Sequence, residues 1–246
     1  MTRSYKHATK INNSGFTLIE ITMVMLIIVL LMTGLLPTIT SQIDLQRTTE
    51  TRKLLRDIQE ALIGYTLIYG RLPCPADPTI ATGATNAGLE RPSCTVAADS
   101  TGVVPWATLG TSEIDGWGNR LSYRVTSNFA DSSDGTGAAC AIATGVSFQL
   151  CSIGSLTVNS SATTGTNIAI GIPAVIISHG ANGSGGYSQQ GTTLPGSADL
   201  DEQENYDDEA DSIYVIHTPT TSFDDMVVWI TPNILYNRMV MAGKLP

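Results

Sequence analysis

The sequence predicts an α+β fold in which one long N-terminal helix precedes a globular head rich in antiparallel β-sheet. Three observations predict it. No charged residue falls between Ile21 and Ile43, so this stretch is apolar on every face. Beyond it, Leu55, Ile58, Leu62, Tyr65 and Ile68 recur at spacings of three and four, the period of an amphipathic helix. From Leu72 onward glycine, proline, serine, threonine, asparagine and aspartate are frequent, and short alternating segments replace the helical period.

Residues 1–15 (MTRSYKHATKINNSG) are polar and basic. Residues 16–43 are expected to form the transmembrane first half of the helix, because a rise of about 1.5 Å per residue carries such a run across a hydrocarbon core. Arg3, Lys6 and Lys10 before the run favour a cytoplasmic N-terminus, while Arg47, Arg52, Lys53 and Arg56 after it weaken that preference. Two alternatives are a buried helix and a secretory signal peptide. The first is seldom greasy all round with a basic flank. The second needs a small-residue cleavage site, for which Thr33-Gly34 and Thr40-Ser41 are imperfect. Pro37 removes one backbone hydrogen bond and, with Gly34, marks a kink. Residues 44–70 continue as an amphipathic half packing on the head, with Glu50, Asp57 and Glu60 among the charges on its other faces. Gly70 terminates it.

Residues 71–246 form the head. Leu121, Tyr123 and Val125 alternate with Ser122, Arg124 and Thr126, which predicts a half-buried strand over 119–127. Further strands are expected over 146–152, 168–178, 212–218 and 226–231, and a closing helix over 232–241 with proline in its first turn. The four cysteines, Cys74, Cys94, Cys140 and Cys151, all lie outside the apolar stretch. Their even count points to disulfides, with buried free thiols as the alternative. Four cysteines allow three pairings. Cys74–Cys94 and Cys140–Cys151 are favoured because short loops close at low entropic cost.

The formal net charge is −9, which gives no electrostatic support to nucleic-acid binding. Nor is an enzyme expected. No P-loop, zinc-protease, nucleophile-elbow or dinucleotide signature occurs, and histidine is found only at His7, His179 and His217.

Gly15-Phe16-Thr17-Leu18-Ile19-Glu20 is the most specific signal. With the basic leader before it and the apolar run after it, this segment resembles the processing site of type IV prepilins and type II secretion pseudopilins. The match covers about the first quarter of the chain. The resemblance implies a type IV pilin-like fold, cleavage after Gly15 by a prepilin peptidase, and methylation of the new N-terminal Phe16. A lone carboxylate at Glu20 in an apolar segment costs roughly 2.5 kcal/mol or more in lipid. Its natural partner is the new amine at Phe16, of its own or a neighbouring subunit; the bland alternative is a place among the headgroups. Pro37 falls where many pilins carry a helix-softening proline.

The head adds Gly70-Arg71-Leu72-Pro73-Cys74-Pro75-Ala76, then Val104-Pro105-Trp106 ahead of Leu109-Gly110, then Asp115-Gly116-Trp117-Gly118-Asn119. These look like segments of larger prepilin-like proteins, which resemble minor pilins in length and in retaining Glu20; for Trp106 and Trp117, core packing is the simpler explanation. The implied function is a structural subunit of a type IV pilus or type II secretion pseudopilus, sited in the bacterial inner membrane as a single-pass protein with a periplasmic head and then in the filament. Implied partners are the prepilin peptidase and methylase, other pilin-like subunits, the inner-membrane assembly machinery and membrane lipid. The alternative is a membrane-anchored adhesin or ligand-binding module displayed by such a filament.

Between Asp199 and Asp211 there are eight acids and no base. Ser178-His179-Gly180-Ala181-Asn182-Gly183 lies just upstream. The arrangement is similar to the calcium loop of the major type II pseudopilin, although Asn182 stands where that loop has an aspartate. It implies Ca²⁺ near Asp199, Asp201, Glu202, Glu204, Asp207 and Asp208. A solvated acidic loop is the other reading.

Overall fold

The computed structural model describes residues 15–131, 145–207 and 212–245, with backbone alone at 34–40 and 97. The chain divides into two compact units, Met1–Leu45 and Gln46–Pro246. Helix α1 (Leu18–Tyr69, 52 residues) has its first part in one and its second in the other.

In the first unit every described residue from Gly15 to Thr33 is exposed. The expectation of a pilin-like fold with a transmembrane half over 16–43 is corrected here: among the described residues no helix is long and apolar enough to cross a membrane. Polarity bears on this: Glu20 interrupts the apolar side chains at the start of α1, and a carboxylate is costly in lipid. Further along, α1 carries Asp44, Arg47, Glu50, Arg52 and Lys53. The leader at 1–14 lies outside the described residues.

The second unit is α+β. Its strands are β1 (Thr101–Val103), β2 (Ser122–Val125), β3 (Leu156–Asn159), β4 (Asn167–Ile172), β5 (Ala174–Ser178), β6 (Ile213–Val215) and β7 (Met226–Ile230). Three helices join them: α2 (Trp106–Leu109), α3 (Leu200–Tyr206) and α4 (Pro232–Met241). One sheet is antiparallel, in the order β1-β2-β5-β7. The other runs β4-β3-β6, with β3 antiparallel to β4 and parallel to β6.

Side-chain alternation explains the layering. Leu55, Ile58, Leu62 and Ile63 of α1 pack with Tyr123, Val125, Ala174, Ile176 and Ile230 in the first core, which α4 closes with Leu235 and Met239. Val175, Ile177 and Val227 face the opposite way and meet Leu156, Val158, Ile172 and Tyr214 in a second core. Strand β5 is therefore buried along its whole length, being covered on both faces.

Several expectations shift in detail. The strand expected over 168–178 is two strands, β4 and β5, in different sheets, because Pro173 between them has no N–H to extend a ladder. Segment 146–152 makes no strand; Val146 and Phe148 are buried, but the backbone turns, with Ser152 N donating to Gln149 O at 3.0 Å. Arg124, expected to face solvent, is 6% exposed. Ile68, expected on the packed face of α1, is 69% exposed. The helix stops at Gly70, where φ is +73° and an added Cβ would lie 2.1 Å from the Gly145 carbonyl oxygen. A disulfide joins Cys74 to Cys94 with Cα atoms 5.6 Å apart. Cys151 is also disulfide-bonded, and Cys140 lies outside the described residues.

Candidate metal centre

Three segments of the second unit converge on a group of acids, two buried and one half-buried. They are the loop His179–Asn182 leaving β5, the short helix α3, and the Asp224-Asp225 pair entering β7. Helix α3 forms inside the acidic stretch because Asp199 caps it: its Oδ1 accepts from Asp201 N at 2.9 Å. The helical spacing then turns Glu202 and Asn205 inward together, at 1% and 2% exposure.

Each carboxylate is held by one oxygen and left open at the other. Glu202 Oε1 accepts from Asn182 Nδ2 (2.7 Å) and Asp224 N (3.2 Å). Asp224 Oδ2 accepts from Ala181 N (2.8 Å) and Asn182 N (3.1 Å). Asp225 Oδ2 accepts from Asn205 Nδ2 at 2.8 Å, while Asn205 also brackets Val215 of β6. The opposite oxygens, Glu202 Oε2, Asp224 Oδ1 and Asp225 Oδ1, are buried without a hydrogen-bond partner. One carboxylate oxygen from each of the three residues lies within 4.8 Å of the others.

His179 borders the cluster and is fully buried. Its Nε2 shares a hydrogen bond with Ser122 Oγ at 2.8 Å. Its Nδ1 has no hydrogen-bond partner and stands 3.7 Å from Asp225 Oδ1. Burial pushes the Asp224 carboxyl up; the N–H groups of Asn182 and Ala181 oppose this, and the neighbouring Glu202 and Asp225 charges add to it.

Of the acids expected around Ca²⁺, only Glu202 belongs to this group. Asp199 is occupied as a cap and accepts from Ser222 Oγ at 2.5 Å, which holds its carboxyl below the usual range. Asp201 accepts from Ser161 Oγ and Ala162 N and lies 3.2 Å from His217 Nε2. Glu204 is half-buried, Asp207 ends α3, and Asp208 lies outside the described residues. Asp224 and Asp225 were missed. Their one local signal is an acid pair set directly against the apolar strand Met226–Ile230.

The expected processing and assembly residues stand in the first unit. Gly15, Phe16 and Glu20 are all exposed. Glu20 Oε2 accepts from Thr17 N (2.9 Å) and Thr17 Oγ1 (2.8 Å), and Glu20 N donates to Thr17 Oγ1 at 3.3 Å. This reciprocal pair is a capping box at the start of α1. The Thr17 backbone N–H, and then its hydroxyl, hold the Glu20 carboxyl below its usual range.

Compared with known proteins, the chain matches no family model, no curated sequence and no solved structure.

Proposed function

We propose that this chain is a structural subunit, of the minor pilin or pseudopilin kind, in a type IV pilus-like or type II secretion-like filament. A prepilin peptidase and methylase matures it between Gly15 and Phe16, and assembly machinery stacks it against other pilin-like subunits. One observation supports this most. From Phe16 to Met32 the apolar side chains of the segment are exposed, with Phe16, Leu18 and Ile19 at 83%, 85% and 65%. Each such side chain gains about 1.5–3 kcal/mol on burial, so a surface of this extent calls for a cover. Copies of the same helix supply one of matching chemistry. Membrane crossing forms no part of this reading.

The three disulfide-bonded cysteines among the described residues, Cys74, Cys94 and Cys151, support a head outside the reducing cytoplasm, in the periplasm and then on the filament. The test is Gly15→Ala in the native host. The variant should persist as the uncut precursor and be missing from sheared filaments. If it reaches the mature size and enters filaments like the parent, the reading is wrong.

A further inference from the structure

We infer that Glu202, Asp224 and Asp225 bind one calcium ion, and that this ion fastens α3 and the loop after β5 to the entrance of β7. The inference is independent of the filament reading.

Distance is the first ground. Two oxygens that each lie about 2.4 Å from one calcium ion can be at most about 4.8 Å apart. The three carboxylates meet that limit mutually without any rearrangement. The second ground is unmet valence. Glu202 and Asp225 are 1% and 3% exposed, yet each keeps one oxygen without a hydrogen-bond partner, as does Asp224. A buried acceptor left open costs about 1–3 kcal/mol, and more when charged. Three carboxylates with oxygens this close repel as well. Fully buried polar groups are rarely left this way unless a ligand completes them.

Charge is the third ground. Among the described residues, no lysine or arginine ion-pairs with any of the three acids. His179 Nδ1 stands 3.7 Å from Asp225 Oδ1, and one imidazole would not balance three carboxylates. The fourth ground is preorganisation. One oxygen of each carboxylate is already fixed by Asn182, Asn205 and the backbone N–H groups of Ala181, Asn182 and Asp224. Such supporting bonds orient ligands before an ion arrives. Gly180 fits the same geometry, since an added Cβ there would lie 2.4 Å from Asp224 Oδ1.

The donor set selects the ion. Three hard carboxylate oxygens suit Ca²⁺, which completes its shell of six to eight oxygens with carbonyls or water. Mg²⁺ prefers a tighter octahedron and keeps its waters. Zn²⁺ would be expected to recruit His179 Nδ1 as a nitrogen ligand. The donors come from three separate segments, so the ion should bind the folded head far better than the unfolded chain and should stabilise it by mass action.

The test is thermal unfolding of the full chain after chelation with EGTA, then with about 2 mM CaCl2, MgCl2 or ZnCl2 added. Calcium should raise Tm by about 5–10 °C, with magnesium giving little. Asp224→Asn and Glu202→Gln should abolish the calcium shift while leaving Tm in EGTA unchanged or higher, since each removes a like charge. That second readout separates lost binding from misfolding. The double variant Glu204→Gln, Asp207→Asn should keep the full calcium shift. No calcium shift in the parent chain would overturn the inference. So would a shift that survives Asp224→Asn, one that disappears in the Glu204/Asp207 variant, or a response to zinc in place of calcium.

Discussion

At Glu20 one carboxylate suits two geometries. In the single chain it closes a capping box with Thr17. In a processed filament subunit, the free amine at Phe16 would compete for the same oxygens. Glu20→Ala should therefore leave cleavage intact and sharply reduce recovery in filaments, measured by comparing whole-cell and sheared fractions. Equal recovery would leave Glu20 as a helix cap only.

A second residue-scale case is Glu90, which gathers Tyr65 OH (2.6 Å), Arg71 Nη1 (2.8 Å) and Cys74 N (3.1 Å). Burial pushes the Glu90 carboxyl up, but Arg71 and Tyr65 outweigh it and the net shift is down. A lowered folded value means that the stabilisation is complete above the unfolded value and disappears as pH falls through the folded one. Glu90→Gln should thus cost about 2 kcal/mol at neutral pH. Its Tm deficit should shrink in acid below the normal glutamate range. A deficit that does not change with pH would argue against this ion pair.

At the scale of elements, α1 has two contrasting faces to test. Leu62 is fully buried against the first sheet, so Leu62→Ala should destabilise the head by about 2–5 kcal/mol. Ile27 and Leu31 are 54% and 60% exposed. Alanine at either should leave Tm unchanged yet lower filament recovery; a clear fall in Tm would place them in the fold instead. The Cys74–Cys94 bridge, with a sequence separation of 20, closes a loop worth about 3 kcal/mol. Replacing both cysteines by serine should lower Tm on the order of 6–12 °C.

The elements also show what a sequence can reveal. Helix α4 and strand β7 were legible because proline at a first helical turn and an apolar run beside acids are local signals. Helix α3 was not, since its inward residues, Glu202 and Asn205, are polar and leave no apolar stripe. Burial without a partner strand also misled: Val146 and Phe148 alternate as a strand would, but they fill the core from a turn.

At the scale of the whole molecule, the head has one helical layer and two sheets, and the doubly buried β5 of the first sheet contributes to both cores. The sequence carries the α-then-β order but not the pairing, because β3 beside β6 and β2 beside β5 are long-range choices. The metal cluster is hidden for the same reason. Glu202 and Asp224 are brought together only when α3 folds back on the entrance to β7. The membrane-spanning expectation was drawn from an apolar run that the described structure does not support as a span. The exposed apolar surface it leaves still needs a cover.

That requirement is tested most directly by the N-terminal mass of the chain recovered from sheared native filaments. A filament subunit should be present there and should begin at N-methylated Phe16. A chain that begins at Met1, or that is absent from the filaments while abundant in the cells, would contradict it.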